Sequence, residues 1–168
     1  MTSLFGFVII DKPAGITSHA CIGRLRRFFG TKRIGHGGTL DPAVTGVLPI
    51  AIGKATRLLP YLPGNKTYIG KIQLGLKTNT DDMQGEILSK NKYPKLKDSR
   101  LEEYINQFRG AISQTPPNVS SVHVNGIRAY KRTRNGEIFN LAPRNIYIHN
   151  LSILDWEQEK GLIKIIVE

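Results

Sequence analysis

Residues 5–10 read Phe-Gly-Phe-Val-Ile-Ile, an apolar run without a charge, and they stop at Asp11-Lys12-Pro13-Ala14-Gly15. A run so short between turn residues predicts a buried strand. Thr17 and Ser18 then offer N-caps for a helix. That helix carries Ile22, Leu25, Phe28 and Phe29 on one face and Arg24, Arg26 and Arg27 on the other, with Gly30 as its stop. Val47–Ile52 predicts a second buried strand. Ala55–Tyr61 predicts a short helix, closed by Pro63-Gly64.

The second half changes period. Lys66–Leu74 alternates, with Tyr68, Ile72 and Leu74 on one side and Thr67, Lys71 and Gln73 on the other, which is strand spacing. Thr78–Gly85 is a polar turn containing Asp81 and Asp82, and residues 89–98 form a lysine-rich surface loop. Ser99–Arg109 has helical spacing, with Leu101, Tyr104, Ile105 and Phe108 on one face and Ser99 and Glu102 placed as a capping box. Gly110 ends it. Thr115-Pro116-Pro117-Asn118 opens an extended segment through His123, and Ile127–Asn135 predicts a short basic helix. Two strands close the chain, Asn145–Asp155 and Leu162–Val167, joined by a hairpin at Glu159-Lys160-Gly161. With no internal repeat or linker, residues 1–168 are expected to form one domain.

Charge narrows the partner class. The 168 residues are 40% hydrophobic and 22% charged, as in ordinary globular proteins, yet 24 Lys and Arg face 13 Asp and Glu, a net +11. Such a surplus favours polyanions, nucleic acid first. A membrane surface fits less well, because the basic residues do not line one amphipathic helix. Cys21 is the only cysteine, so neither an intrachain disulfide nor zinc-ligand spacing is available. The four histidines lie far apart in sequence, the first residues lack a signal-peptide pattern, and no run of about 18 apolar residues occurs. A cytoplasmic protein without metal is expected.

One loop concentrates the chemistry. Residues 35–46 read G-H-G-G-T-L-D-P-A-V-T-G. Glycines let backbone turn sharply and approach a ligand, and Pro42 fixes the chain just after Asp41. Asp41 is then either a turn-capping side chain or a catalytic carboxylate, acting as nucleophile or proton acceptor. To stay ionised in a closed site it needs a cation or several donors. Thr39 and the loop amides are candidate donors, and Arg33 and Arg57 are the nearby arginines along the chain. Tyr68 reads first as a cross-strand packing residue and second as a platform for an unstacked base. His36 is either simply exposed or set to stack on a base. Arg128, Lys131, Arg132 and Arg134, with Tyr130 among them, read as a solvated face or as an RNA-backbone contact.

These residues together resemble a known family. Gly35-His36-Gly37-Gly38-Thr39-Leu40-Asp41-Pro42, with Gly46 and the strand after it, resembles the signature of TruB-type tRNA pseudouridine synthases. Asp11-Lys12-Pro13-Ala14-Gly15-Ile16-Thr17-Ser18 is similar to the family's first motif, and Lys66-Thr67-Tyr68 to its base-contacting tyrosine motif. Thr78-Asn79-Thr80-Asp81-Asp82 with Gly85 approximates a further motif, Asn79 standing where aspartate is usual. Pro116-Pro117 through Ser120, then Gly126, Tyr130, Arg134 and Gly136, resembles the later segment.

The resemblance implies an α+β fold, a mixed sheet flanked by helices and loops with the active cleft crossing the sheet. It implies isomerisation of the T-loop uridine, at tRNA position 55, to pseudouridine on a flipped-out base. Asp41 would be the catalytic carboxylate, whether it attacks sugar or base or takes a sugar proton. Tyr68 would pack on the uracil, His36 would fill space vacated in the T loop, and Lys12 and Pro13 would support the site's floor. No cofactor is implied. The partner would be the tRNA T arm, bound by a monomer without a membrane. Val119, Ser121 and His123 depart from the tyrosine, alanine and lysine of many bacterial members. The family's glycine-threonine-tyrosine-isoleucine-arginine segment, whose arginine pairs with the aspartate, and its small C-terminal RNA-binding domain have no counterpart in these residues. The chain is therefore expected to be an N-terminal portion, either active or a tRNA-binding remnant without chemistry.

Overall fold

A computed structural model describes residues 4–120 and 122–168. Met1–Ser3, and with them part of the leader reading, lie outside the described residues, as does Ser121. The backbone gathers into two compact units, Met1–Gly64 and Asn65–Glu168.

In the first unit, β1 (Gly6–Lys12) runs two residues past the apolar run and pairs antiparallel with β3 (Gly46–Ile52), from Gly6↔Ile52 to Lys12↔Gly46. β2 (Ile34–His36) was not expected inside a glycine loop; it adds to the other edge of β3, opposite Ile50–Ile52. Between β1 and β2 lies α1 (Ser18–Phe28), capped by Thr17, whose Oγ1 accepts from the Ala20 amide at 3.0 Å. Cys21, Ile22, Ile34, Leu48, Ile50 and Ile52 form the core, with Leu25 and Phe29 packed against it. Burying each large aliphatic side chain contributes roughly 1.5–3 kcal/mol. Phe28 departs from the expected face. It is 80% exposed and meets Phe29 edge-on. Residues Gly53–Tyr61 form a 3-10 helix containing Pro60. Gly53 must be glycine: at φ 60° a Cβ would lie 2.4 Å from the Leu4 carbonyl oxygen.

The second unit is built from antiparallel pairs. β4 (Tyr68–Gln73), β5 (Leu76–Thr78) and β6 (Ile87–Lys90) come first, and β5 and β6 form a hairpin across the expected polar turn. The helix α2 (Asp98–Asn106) begins one residue before Ser99. Its N-cap is Lys97 with no side-chain cap, so the Ser99–Glu102 capping box does not form. β7 (Gly110–Gln114) follows, then the short hairpin β8 (His123–Val124) and β9 (Ile127–Arg128), and the basic helix α3 (Ala129–Arg134). The expected strand Asn145–Asp155 is two strands, β10 (Arg144–Ile148) paired with β7 and β11 (Leu151–Glu157) paired with β12 (Leu162–Val167). His149 and Asn150 break it by hydrogen bonding to the backbone of Glu168: the His149 amide donates to the Glu168 carbonyl at 2.7 Å. β12 also pairs with β4. Leu101 and Ile105 of α2 pack on Leu151 and Ile163, making this unit's core. The α+β class expected from the sequence is the class observed. No helix among the described residues is long and apolar enough to cross a membrane.

Candidate active site

The loop from Gly37 to Thr45 hangs between β2 and β3, and it is pinned close to Asp41 on both sides. On one side, Ser18 at the start of α1 is buried; its Oγ donates to the Leu40 carbonyl at 3.0 Å and accepts from the Leu40 amide at 2.9 Å. On the other, the Pro42 carbonyl accepts from the Gly15 amide at 2.8 Å and from Lys12 Nζ at 3.4 Å. The Asp41 carbonyl accepts from the Val44 amide at 3.0 Å, closing the turn after Pro42. The Asp41 side chain itself is exposed and has no hydrogen bond or ion pair among the described residues. The backbone is held while the carboxylate stays free. That arrangement suits a group that acts on something brought to it.

Lys12 is fully buried and makes no ion pair among the described residues. Its ammonium donates to the carbonyls of Pro13 and Ile16 at 2.9 Å each, besides Pro42. An ammonium has three donors, and three carbonyls take them. A buried charge is tolerable only with such partners. Lys12 therefore ties the turn after β1 to the Asp41 loop, and Pro13, Ala14 and Gly15 of that turn are exposed.

Gly35 and Gly37 serve packing more than sharp turning, whereas Gly46 takes a φ of 133° with open space around it. Gly35 and Gly37 have ordinary backbone angles, but a Cβ at Gly35 would lie 2.9 Å from Leu59 Cδ1, and one at Gly37 2.6 Å from Leu62 Cδ1. The 3-10 helix thus lies against β2. His36, between them, is half-buried, and its Nδ1 is buried without a partner. Thr39 is exposed and donates to nothing among the described residues. Arg33 does not reach Asp41: its Nε donates to Thr56 Oγ1 at 3.3 Å, at the Ile52 end of the sheet.

The other site residues fall in the second unit. Tyr68 opens β4 opposite Val167 and is 42% exposed. In and beside α3 the four basic residues divide. Arg132 is turned inward: Nε donates to the Val124 carbonyl at 3.2 Å and Nη1 pairs with Glu137 at 2.7 Å. Lys131 and Arg134 point outward, Arg134 lying 5.8 Å from the Tyr130 ring centroid, and Arg128 is exposed on β9. A cavity of about 530 Å³ opens between the first turn of α2 and β11, lined by Asp98, Glu102, Asp155 and Trp156 among others. None of the candidate site residues named from the sequence lines it. No group of three or more His, Cys, Asp or Glu is gathered to hold a metal ion among the described residues.

Ser18 is the residue the hydrophobic pattern undervalued. It read as a spare helix cap beside Thr17; a second capping residue where one suffices was the available signal.

Residues 26–168 match the family described as TruB family pseudouridylate synthase, N terminal domain. The chain belongs to this family. It is 60% identical over 161 residues to tRNA pseudouridine synthase B of Synechococcus sp. (strain CC9311), covering 96% of this chain and 54% of that protein. It is 55% identical over all 168 residues to the protein of the same name in Prochlorococcus marinus (strain NATL2A), again 54% of that protein. The chain thus spans about half the length of the curated relatives it matches. Among solved structures, one from a Cbf5-Nop10-Gar1 complex superposes with a TM-score of 0.65 at 28% identity, covering 98% of this chain and 40% of that one. A second, from an H/ACA RNP bound to a substrate RNA containing 2'-deoxyuridine, has a TM-score of 0.64 at 24% identity and supports the fold alone. In this TruB-family chain the matched region takes in Asp41, Tyr68 and the basic segment around α3, while Lys12 and Ser18 precede it.

Proposed function

We propose that this chain carries the catalytic core of a tRNA pseudouridine synthase acting in the cytoplasm on the T-loop uridine, at tRNA position 55, as a monomer without a cofactor. The observation that carries the reading is the Asp41 loop, whose backbone is fixed through Leu40 and Pro42 while the carboxylate stays exposed and unpartnered. A base must leave its stack before such a group can reach it, at a cost of a few kcal/mol. The reaction breaks the C1'–N1 bond and forms C1'–C5; the C5 hydrogen goes to solvent and N1 gains a proton. Asp41 begins this exchange, Tyr68 packs on the extruded uracil, and His36 fills space in the opened loop. Lys12 and Pro13 hold the floor, and Lys131, Arg134 and Arg128 meet the RNA backbone.

Tritium release from 5-tritiated uridine in a T-arm transcript tests this, with the parent chain and Asp41→Asn side by side. Release by the parent alone is the expected result. A second reading is favoured by one observation, that Asp41 makes no ion pair among the described residues: the chain binds tRNA without chemistry. Binding with no release from either protein would establish that reading instead.

A further inference from the structure

The basic charge is unevenly held. Residues 1–64 carry eight Lys and Arg against two Asp, whereas residues 65–168 carry sixteen against eleven Asp and Glu. All five ion pairs among the described residues belong to the second unit; the first has none. Its two carboxylates, Asp11 and Asp41, lie at the end of the sheet where Lys12 pairs with Gly46 and bonds Pro42.

Five of its eight cations gather at the other end. The Gly53 amide donates to the Arg33 carbonyl at 2.8 Å, which brings Arg33 beside Lys54, and Arg33 reaches Thr56, the neighbour of Arg57. The Thr31 amide donates to the Arg26 carbonyl, so the last turn of α1, with Arg27, leads directly into Lys32. Arg27, Lys32, Arg33, Lys54 and Arg57 are all exposed. From Ser18, beside the Asp41 loop, to Arg27 is nine helical steps, about 14 Å. Five exposed cations without a carboxylate partner repel one another, and a row of phosphates relieves that repulsion by releasing counterions.

We infer that Arg27, Lys32, Arg33, Lys54 and Arg57 form a phosphate-backbone contact for the substrate RNA, separate from the Asp41 loop and from α3. This rests on the reading that the chain acts on tRNA, and it adds where a second stretch of the strand is gripped.

The test measures binding of a T-arm RNA hairpin across a salt series for three proteins: the parent, the Lys32→Gln/Lys54→Gln/Arg57→Gln variant, and a Lys90→Gln/Lys92→Gln/Lys97→Gln variant. Both triples remove the same charge from exposed positions, and circular dichroism checks their folding. The first variant should lose about 2 from the slope of log K against log salt, at roughly 0.7–0.9 per phosphate contact, and the second should keep the parent slope. Equal loss in both would mean that only total charge counts, and no loss in the first would remove the contact; either overturns the inference. A parent that fails to bind the hairpin at low salt would instead sink the tRNA reading, and the inference with it.

Discussion

Lys12 and Ser18 do at residue scale what the glycines of the loop do not. They fix where Asp41 stands by bonding the backbone of its neighbours, Leu40 and Pro42, and leave its side chain untouched. Removing either leaves carbonyl or amide groups without a partner, and a buried unsatisfied group costs about 1–3 kcal/mol. Lys12→Met is therefore expected to lower stability in urea unfolding by about 2 kcal/mol, three carbonyls losing a donor. Ser18→Ala should cost about 1–2 kcal/mol and also reduce tritium release, because the loop before Asp41 is no longer held on both sides. A cost under about 0.5 kcal/mol for Lys12→Met, the level of an ordinary surface change, would show that those carbonyls find water instead.

Elements differ in how much of themselves they state locally. β1, α1 and β3 are legible because each carries its own apolar period and ends at a turn residue or cap, and β12 because its apolar run follows the turn at Gly161. β2 is not: three residues in a glycine-rich loop become strand only because Ile50–Ile52 lie alongside, a partner remote in sequence. The break at His149-Asn150 is invisible for the same reason, since it is imposed by the backbone of Glu168. The Asp41 loop was legible as a candidate site from its composition, and Lys12 as its support only through the family resemblance; the hydrogen bonds by which Lys12 and Ser18 hold the loop run across a fold that local spacing does not encode. The turn between β11 and β12 shows a further layer. Gly161 sits at φ 63°, and the Tyr93 ring lies 2.5 Å from where a Cβ would be. Next to it Glu157 is held below the usual glutamate value, first by its hydrogen bond from Lys160 and then by that residue's charge. A carboxylate depressed on folding stabilises above its unfolded value and loses that contribution as pH falls through the folded one. In Lys160→Gln, the NMR titration of the Glu157 carboxyl should move up toward the ordinary range, and the turn should lose its small acid sensitivity. An unmoved titration would mean that the pair is not populated in solution.

Across the whole molecule, charge is unevenly held. The first unit holds Asp41 at one end of its sheet, and the cation cluster that begins at Arg27 lies about 14 Å along α1 from Ser18, beyond the screening length of about 8 Å at physiological salt. A change of charge at Asp41 is thus felt weakly by the cations. Asp41→Asn raises the net charge only from +11 to +12, and it removes no hydrogen bond or ion pair among the described residues. Affinity for a T-arm hairpin should accordingly stay within about twofold of the parent at physiological salt, with an unchanged salt slope. Isomerisation should vanish, because no other carboxylate stands on the pinned loop. Filter binding across a salt series and tritium release on the same preparations read the two quantities independently. Were affinity to rise tenfold, about 1.4 kcal/mol, the Asp41 charge would lie against a phosphate in the complex. The carboxylate would then oppose the grip of the cations as well as acting on the base.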